Sequence, residues 1–152
     1  TRDGYLKRTS LRSYNSVSEA MPGLKDGDVV RGIAKCFTTD NLLLFTSLGN
    51  FLSIPVYKIF DNKWKEEGKH INEIGSVSNA EKIIGGIILR DVKEGVNIVL
   101  VTKNGQIKRT AIEEFVTTRI AKTSKCFNLA NNDELVGVAI GKGNSQVLVA
   151  NE

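Results

Sequence analysis

The sequence holds only two cysteines, one histidine, one tryptophan and one methionine in 152 residues. Each scarcity closes a class of function. Cys36 and Cys126 lack metal-ligand spacing, which argues against a zinc site and reads as reduced, buried structural thiols of a cytosolic protein. His70 has no neighbour at ligand spacing and reads as structural or solvent-exposed. No phosphate loop, no nucleophile–base motif and no His/Cys/carboxylate cluster occurs, so no catalytic site, metal or cofactor is expected. Asp26-Gly27-Asp28 opens like a calcium loop but lacks the later ligands. No apolar run reaches the roughly 18 residues of a membrane span, and no apolar leader opens the chain. The first residue is Thr and not Met, which predicts a piece of a longer protein.

What is present is repetition. Asp3-Gly4-Tyr5-Leu6-Lys7-Arg8-Thr9 returns as Asn104-Gly105-Gln106-Ile107-Lys108-Arg109-Thr110. Thr46-Ser47-Leu48-Gly49 lies between them and repeats the turn without the cations. Apolar runs precede the later turns, Leu42–Phe45 and Ile98–Val101, and Val147-Leu148-Val149 begins a third. A second phrase, turn residues followed by an apolar strand and a glycine, recurs at 25–33, 78–87 and 131–138. From its glycine to the next turn glycine is 17 residues (Gly32 to Gly49) and then 19 (Gly86 to Gly105). Paired phrases at a held spacing mark a repeat architecture, with repeats at approximately 1–45, 46–101 and 102–149.

The apolar runs are short, rich in Val, Ile, Leu and Phe, and bounded by Gly, Asn, Asp and Ser, which is strand punctuation. Hairpins are predicted at 42–46/50–54 and 98–102/106–110, with tight turns in which both Asn or Asp and Gly take positive φ. Further strands are predicted at 28–37, 83–89 and 134–140, and one helical turn within 61–68. Four strands per repeat of about fifty residues imply an all-β, propeller-like array of about three four-stranded Greek-key blades. Strand alternation puts Leu6 and Ile107 inward, Lys7 and Lys108 toward solvent, and Arg8 and Arg109 toward the rim. The middle repeat has Leu52-Ser53 there, so the cationic surface is expected to weaken at the middle blade. Gln146–Asn151 reads as a first hairpin strand without its mate. It is expected either to pair with Gly4–Ser10 or to exchange with a second molecule in a strand-exchanged dimer.

The net charge is +4, yet the cations are clustered. Residues 1–12 carry four cations and one acid, and residues 103–125 carry six and two. Such clusters are either a solvated surface or the footprint of a polyanion partner.

The phrase Gly-x-[Leu/Ile]-Lys-Arg-Thr in a bladed β array resembles the C-terminal domain of type IIA topoisomerase A subunits. RDGYLKRTSLRSYN (2–15), LLLFTSLGNFLSIPVYKIFDNKWKEEGKHI (42–71) and LVTKNGQIKRTAIEEF (100–115) look most like the bacterial topoisomerase IV branch. The related gyrase arrays carry a Gln-Arg-Arg-Gly-Gly-Lys-Gly-type box; here Gly85-Gly86 sits between isoleucines and Gly141-Lys142-Gly143 stands alone. The resemblance implies a β-pinwheel that binds and bends duplex DNA around a positive rim, without sequence preference and without catalysis. It implies a parent ATP-dependent type II topoisomerase, cytoplasmic and nucleoid-associated, with the A-subunit core and an ATPase B subunit as partners. Tyr5, Tyr14 and Tyr57 do not resemble the tyrosine with which such parents cleave DNA. The alternatives are a gyrase A-subunit domain that wraps DNA and a propeller-like protein-interaction module.

The expected DNA-binding residues are Lys7, Arg8, Lys108 and Arg109 first. Arg12, Arg119, Lys122 and Lys125 follow these phrases and extend the surface. Lys58, Lys63 and Lys65 sit around Trp64. Base stacking on that tryptophan is the weaker reading, since a lone Trp near a loop reads as an anchor packed onto a blade.

Overall fold

The computed structural model describes residues 1–17, 20–92 and 94–150. In chain order the strands are β1 (Tyr5–Leu6), β2 (Asn41–Thr46), β3 (Asn50–Pro55), β4 (Lys69–His70), β5 (Ile83–Leu89), β6 (Val96–Thr102), β7 (Ile107–Ala111), β8 (Ser124–Lys125) and β9 (Leu135–Lys142). One short helix, α1 (Leu11–Asn15), and three 3₁₀ turns complete the regular structure of the described residues. The sheets run β5-β2-β3-β8, β7-β6-β9 and β1-β4. The chain is all-β and bladed.

The middle and third blades are each built on a hairpin. β2 pairs with β3 from Asn41↔Pro55 to Phe45↔Phe51, and β6 pairs with β7 from Asn97↔Ala111 to Val101↔Ile107. The turns are the same three times. The N–H groups of Gly4, Gly49 and Gly105 donate to the carbonyls of Thr1, Thr46 and Thr102 at 3.3, 3.1 and 3.0 Å. These glycines have φ of +87°, +72° and +83°. The residue before each, Asp3, Leu48 or Asn104, does not share the positive φ, which outside glycine occurs only at Ala121 and Asn132 among the described residues. The hairpin thus needs one left-handed residue and not two, as in a turn followed by a glycine bulge. That is why Leu48 serves where its counterparts are Asp and Asn.

The second phrase docks on the first through one recurring hydrogen bond. Arg2, Ser47 and Lys103 donate their N–H groups to the carbonyls of Val29, Lys82 and Glu134 at 2.8, 2.9 and 2.8 Å. This register aligns Gly32 with Gly85 and Gly137, so the repeated glycine is Gly85 and not Gly86. The β2/β5 and β6/β9 ladders even slip at the same place, between Phe45 and Thr46 and between Val101 and Thr102. The carboxylates in the turn hold it closed. Asp28 Oδ1 accepts from the N–H groups of Asp3 (3.1 Å) and Val29 (2.7 Å), and Asp133 Oδ1 from those of Asn104 (3.0 Å) and Glu134 (2.8 Å). Burial pushes the Asp133 carboxyl up, but bonds from Thr102, Asn104 and Glu134 outweigh it and leave the group low.

Three expected elements are absent. Residues 28–37 form no strand. Their counterparts β5 and β9 lie against the first strands of hairpins, β2 and β6, and among the described residues no such strand lies beside 28–37. Residues 61–68 form no helix; the N–H of Glu66 closes a turn on the Lys63 carbonyl at 3.1 Å. Residues 146–150 form no strand and do not pair with Gly4–Ser10 in this chain, while Asn151 lies outside the described residues.

The core lies between blades. Along β2, Leu43 and Phe45 face one side and Leu44 the other. The first side meets Phe51, Ile87, Ile98, Leu100, Phe115 and Leu135. The second meets Leu52, Ile54, Ile71 and Ala121, with Leu6 packed against them. Both faces of β2 are covered, so its apolar run is continuous and not alternating. Phe45, Phe51 and Phe115 form an aromatic trio with ring centroids 5.0 to 6.4 Å apart. Edge-on aromatic pairs of this kind add about 0.5–1.5 kcal/mol each beyond their buried area.

Candidate nucleic-acid interface

The fourth strand of a blade is lent by the following repeat. β1 pairs with β4, and β3 pairs with β8. Upstream of these short ladders the same segments make a parallel bridge, Arg8 with Asp61 and Ser53 with Ile120. The backbone N–H of Asn62 donates to the Arg8 carbonyl (2.9 Å), and that of Ala121 to the Ser53 carbonyl (2.8 Å). Residues 60–70 therefore edge the first blade, and residues 119–126 edge the middle one. Chain order does not assign a cation to its blade.

Lys7 does not face solvent freely, as strand alternation implied. Its ammonium donates to the carbonyls of Gly23 (3.2 Å), Trp64 (2.5 Å) and Glu66 (2.6 Å). It also lies 5.5 Å from the centroid of the Trp64 ring. Burial pushes this ammonium down, against Glu66, which holds it up. Arg8 is partly covered and stands 3.7 Å from Asp61, with its Nε buried and without a partner. Trp64 is an anchor: its Nε1–H donates to the Ala20 carbonyl at 2.6 Å, and its ring meets Tyr14 edge-on at 4.9 Å. Lys63 and Lys65 flank it and are exposed, as are Arg12 on α1 and Lys58 at the end of a 3₁₀ turn.

On the middle blade Arg119, Lys122 and Lys125 are all exposed. The Lys125 ammonium donates to the Leu48 carbonyl at 3.2 Å. Lys108 joins this group although it belongs to the next hairpin, because its ammonium donates to the Cys126 carbonyl at 2.9 Å. Arg109 is exposed on β7, opposite Val99. The structure thus brings Lys108 to the Lys125 end of one edge, and Lys7, Lys63 and Lys65 to another.

A family model described as DNA gyrase C-terminal domain, beta-propeller, matches residues 1–36, 40–90 and 97–142. The chain belongs to this family. It is 38% identical over 138 residues to the A subunit of DNA topoisomerase 4 from Staphylococcus epidermidis, covering 91% of this chain and 17% of that protein. It is 35% identical over 150 residues to the A subunit of DNA topoisomerase 4 from Bacillus subtilis, covering 99% and 19%. The chain thus spans under a fifth of these relatives. Among solved structures it resembles the C-terminal domain of DNA topoisomerase IV at 37% identity and a TM-score of 0.83, over 91% of this chain and 43% of that one. The E. coli ParC C-terminal domain shares the fold at 13% identity and a TM-score of 0.69, over 91% and 53%.

Within this member of the gyrase C-terminal family, the first blade's lent edge carries a further exposed cation beside Lys63 and Lys65. This is Lys69, on β4 opposite Leu6; in the sequence only its nearness to Lys63 and Lys65 points to it. His70 is half-buried, edge-on to Tyr5 at 5.3 Å, and its Nδ1 accepts the N–H of Asn72 at 3.3 Å. Cys126 is buried and burial pushes its thiol up to about 11. Cys36 is exposed, contrary to the expectation of a buried thiol, because the segment around it forms no strand. No helix among the described residues is long and apolar enough to cross a membrane.

Proposed function

We propose that this chain binds and bends duplex DNA without sequence preference, as the C-terminal domain of a topoisomerase IV-type A subunit. One observation carries the reading: exposed cations stand along blade edges that a rigid inter-blade core holds in fixed positions. A phosphate-directed surface needs only charge at fixed spacing. Base reading in the major groove by a helix needs one long enough to enter it, and α1 has only five residues. Residues 1–152 would then be one pinwheel segment of three repeats divided near residues 45 and 101, without catalytic chemistry of its own. The parent would be an ATP-dependent type II topoisomerase of the cytoplasmic nucleoid, whose A-subunit core receives the DNA segment and whose B subunit supplies ATP hydrolysis. Family membership and the topoisomerase IV relatives support this.

The test is titration of a labelled linear duplex at several salt concentrations. With about five phosphates neutralised, log K falls with log salt at a slope of roughly −4 to −5. No binding at low salt, or binding indifferent to salt, sinks the proposal.

A further inference from the structure

We infer that the middle blade is the principal phosphate-contact station of this chain, and that the third repeat supplies its cations. The inference rests on the duplex-DNA reading above. In the middle blade's own hairpin the positions of Lys7-Arg8 and Lys108-Arg109 are Leu52-Ser53, which are 0% and 6% exposed. That blade contributes no cation from its own second strand. The lent edge reverses this. β8 sets Lys125 opposite Asn50 of β3, and the segment before it runs between Ser53 and Ser76, with Ile120 bridged to Ser53 and Lys122 to Ser76. Arg119, Lys122 and Lys125 are all exposed, and Lys108 reaches the Lys125 end through the Cys126 carbonyl. No Asp or Glu occurs from Phe115 to Asn132.

The first blade's edge is different in kind. Lys63, Lys65 and Lys69 alternate with Asp61, Glu66 and Glu67, so residues 61–70 carry no net charge. The cations that follow its turn are engaged as well: Lys7 on three carbonyls and Arg8 beside Asp61. A phosphate backbone approaching that edge meets carboxylates at the same spacing as ammonium groups, and the two contributions largely cancel. At the middle blade the lent segment itself offers cations and no carboxylate; the nearest acids come from other segments, Glu81 bonded to Asn50 and Glu73 on the stretch that leads to Ser76. The segment is also firmly mounted. The backbone bonds of Ala121 to Ser53 and of Cys126 to Gly49, at 2.8 and 2.9 Å, bracket the cations. Ala121 and Cys126 themselves point into the two inter-blade cores. The cations therefore meet DNA with little backbone ordering left to do.

The experiment compares two triple variants for duplex binding, R119Q/K122Q/K125Q and K63Q/K65Q/K69Q. Near 100 mM salt the first is expected to weaken binding about 10- to 100-fold and to flatten the salt slope by about 2 to 3, since each phosphate contact contributes about 0.9 to the slope. The second takes an edge of no net charge to −3 and is expected to lose about threefold to fivefold, less than the first, because its lysines act on the duplex through screened charge and not through phosphate contact. R119K/K122R/K125R, which keeps the charge, should bind like the unmodified chain. Thermal melting checks the fold, and the single variants Arg119→Gln and Lys122→Gln, each expected to lose about threefold to eightfold, serve if the triple variant unfolds. Unchanged binding in R119Q/K122Q/K125Q and in the singles, or equal losses in the two triples, overturns the inference while leaving the DNA reading standing. Failure of the unmodified chain to bind overturns both.

Discussion

Lys7 offers a direct test of whether a repeated cation is repeated for DNA or for the fold. An ammonium has three N–H donors, and at Lys7 all three find carbonyls, those of Gly23, Trp64 and Glu66. The side chain therefore ties β1 to two separate loops. Lys7→Met keeps most of the stem and removes the charge and the donors. Hydrogen bonds involving a charged group contribute about 1.5–3 kcal/mol each when sheltered. Here the bond to Glu66 is exposed and the freed carbonyls can turn to water, so the net loss is about 2 kcal/mol and not the sum of three. For a chain of this size that lowers Tm by about 4–8 °C. Trp64 is the sole tryptophan and accepts one of the bonds, so its fluorescence reports the melt at the site of change. Duplex affinity should move less than about twofold. A variant that melts with the unmodified chain but loses about tenfold in DNA affinity would show that Lys7 reaches phosphate, and the structural assignment would be wrong.

Two further outcomes are expected. Arg2 first and Lys82 second hold the Asp3 carboxyl below its usual 3.8, at about 2. A depressed folded-state pKa contributes stability in full above the unfolded value, and this is lost as pH falls from about 3.8 through about 2. Asp3→Asn should flatten the acid limb of the stability profile between pH 5 and 2; an unchanged profile in that variant contradicts the assignment. Burial raises both thiols, but Cys36 is exposed and Cys126 is not, so a thiol reagent at pH 8 should label Cys36 in the native protein and Cys126 only after denaturation. Equal labelling of both thiols in the native protein would show that the inter-blade core opens readily.

Much of the fold was legible in the sequence because its signals are local. The hairpins at β2/β3 and β6/β7 follow from apolar runs on either side of a Thr-x-x-Gly turn, and β5 and β9 from the second phrase. The 28–37 segment has the same phrase and forms no strand, because strand formation depends on a partner and not on composition alone. The turn itself was half legible. Glycine was required, but the residue before it was free, as Leu48 shows.

The candidate site was legible as a set of cations and not as a surface. Counting along the chain assigned Arg119, Lys122 and Lys125 to the third hairpin and left the middle blade weak. The exchange of β8 onto β3 puts them on the middle blade. Likewise Lys7 and Lys108 hold equivalent positions, yet one ammonium meets three carbonyls and the other a single carbonyl. By itself the sequence determined the recurring Thr-x-x-Gly turns, the strand register within the β2/β3 and β6/β7 hairpins and the inventory of charge, since these depend on neighbours a few residues apart. The tertiary structure alone decided which edge each cation stands on and whether its head group is free. Those depend on a strand crossing between blades, a contact between residues about seventy positions apart that no local pattern encodes.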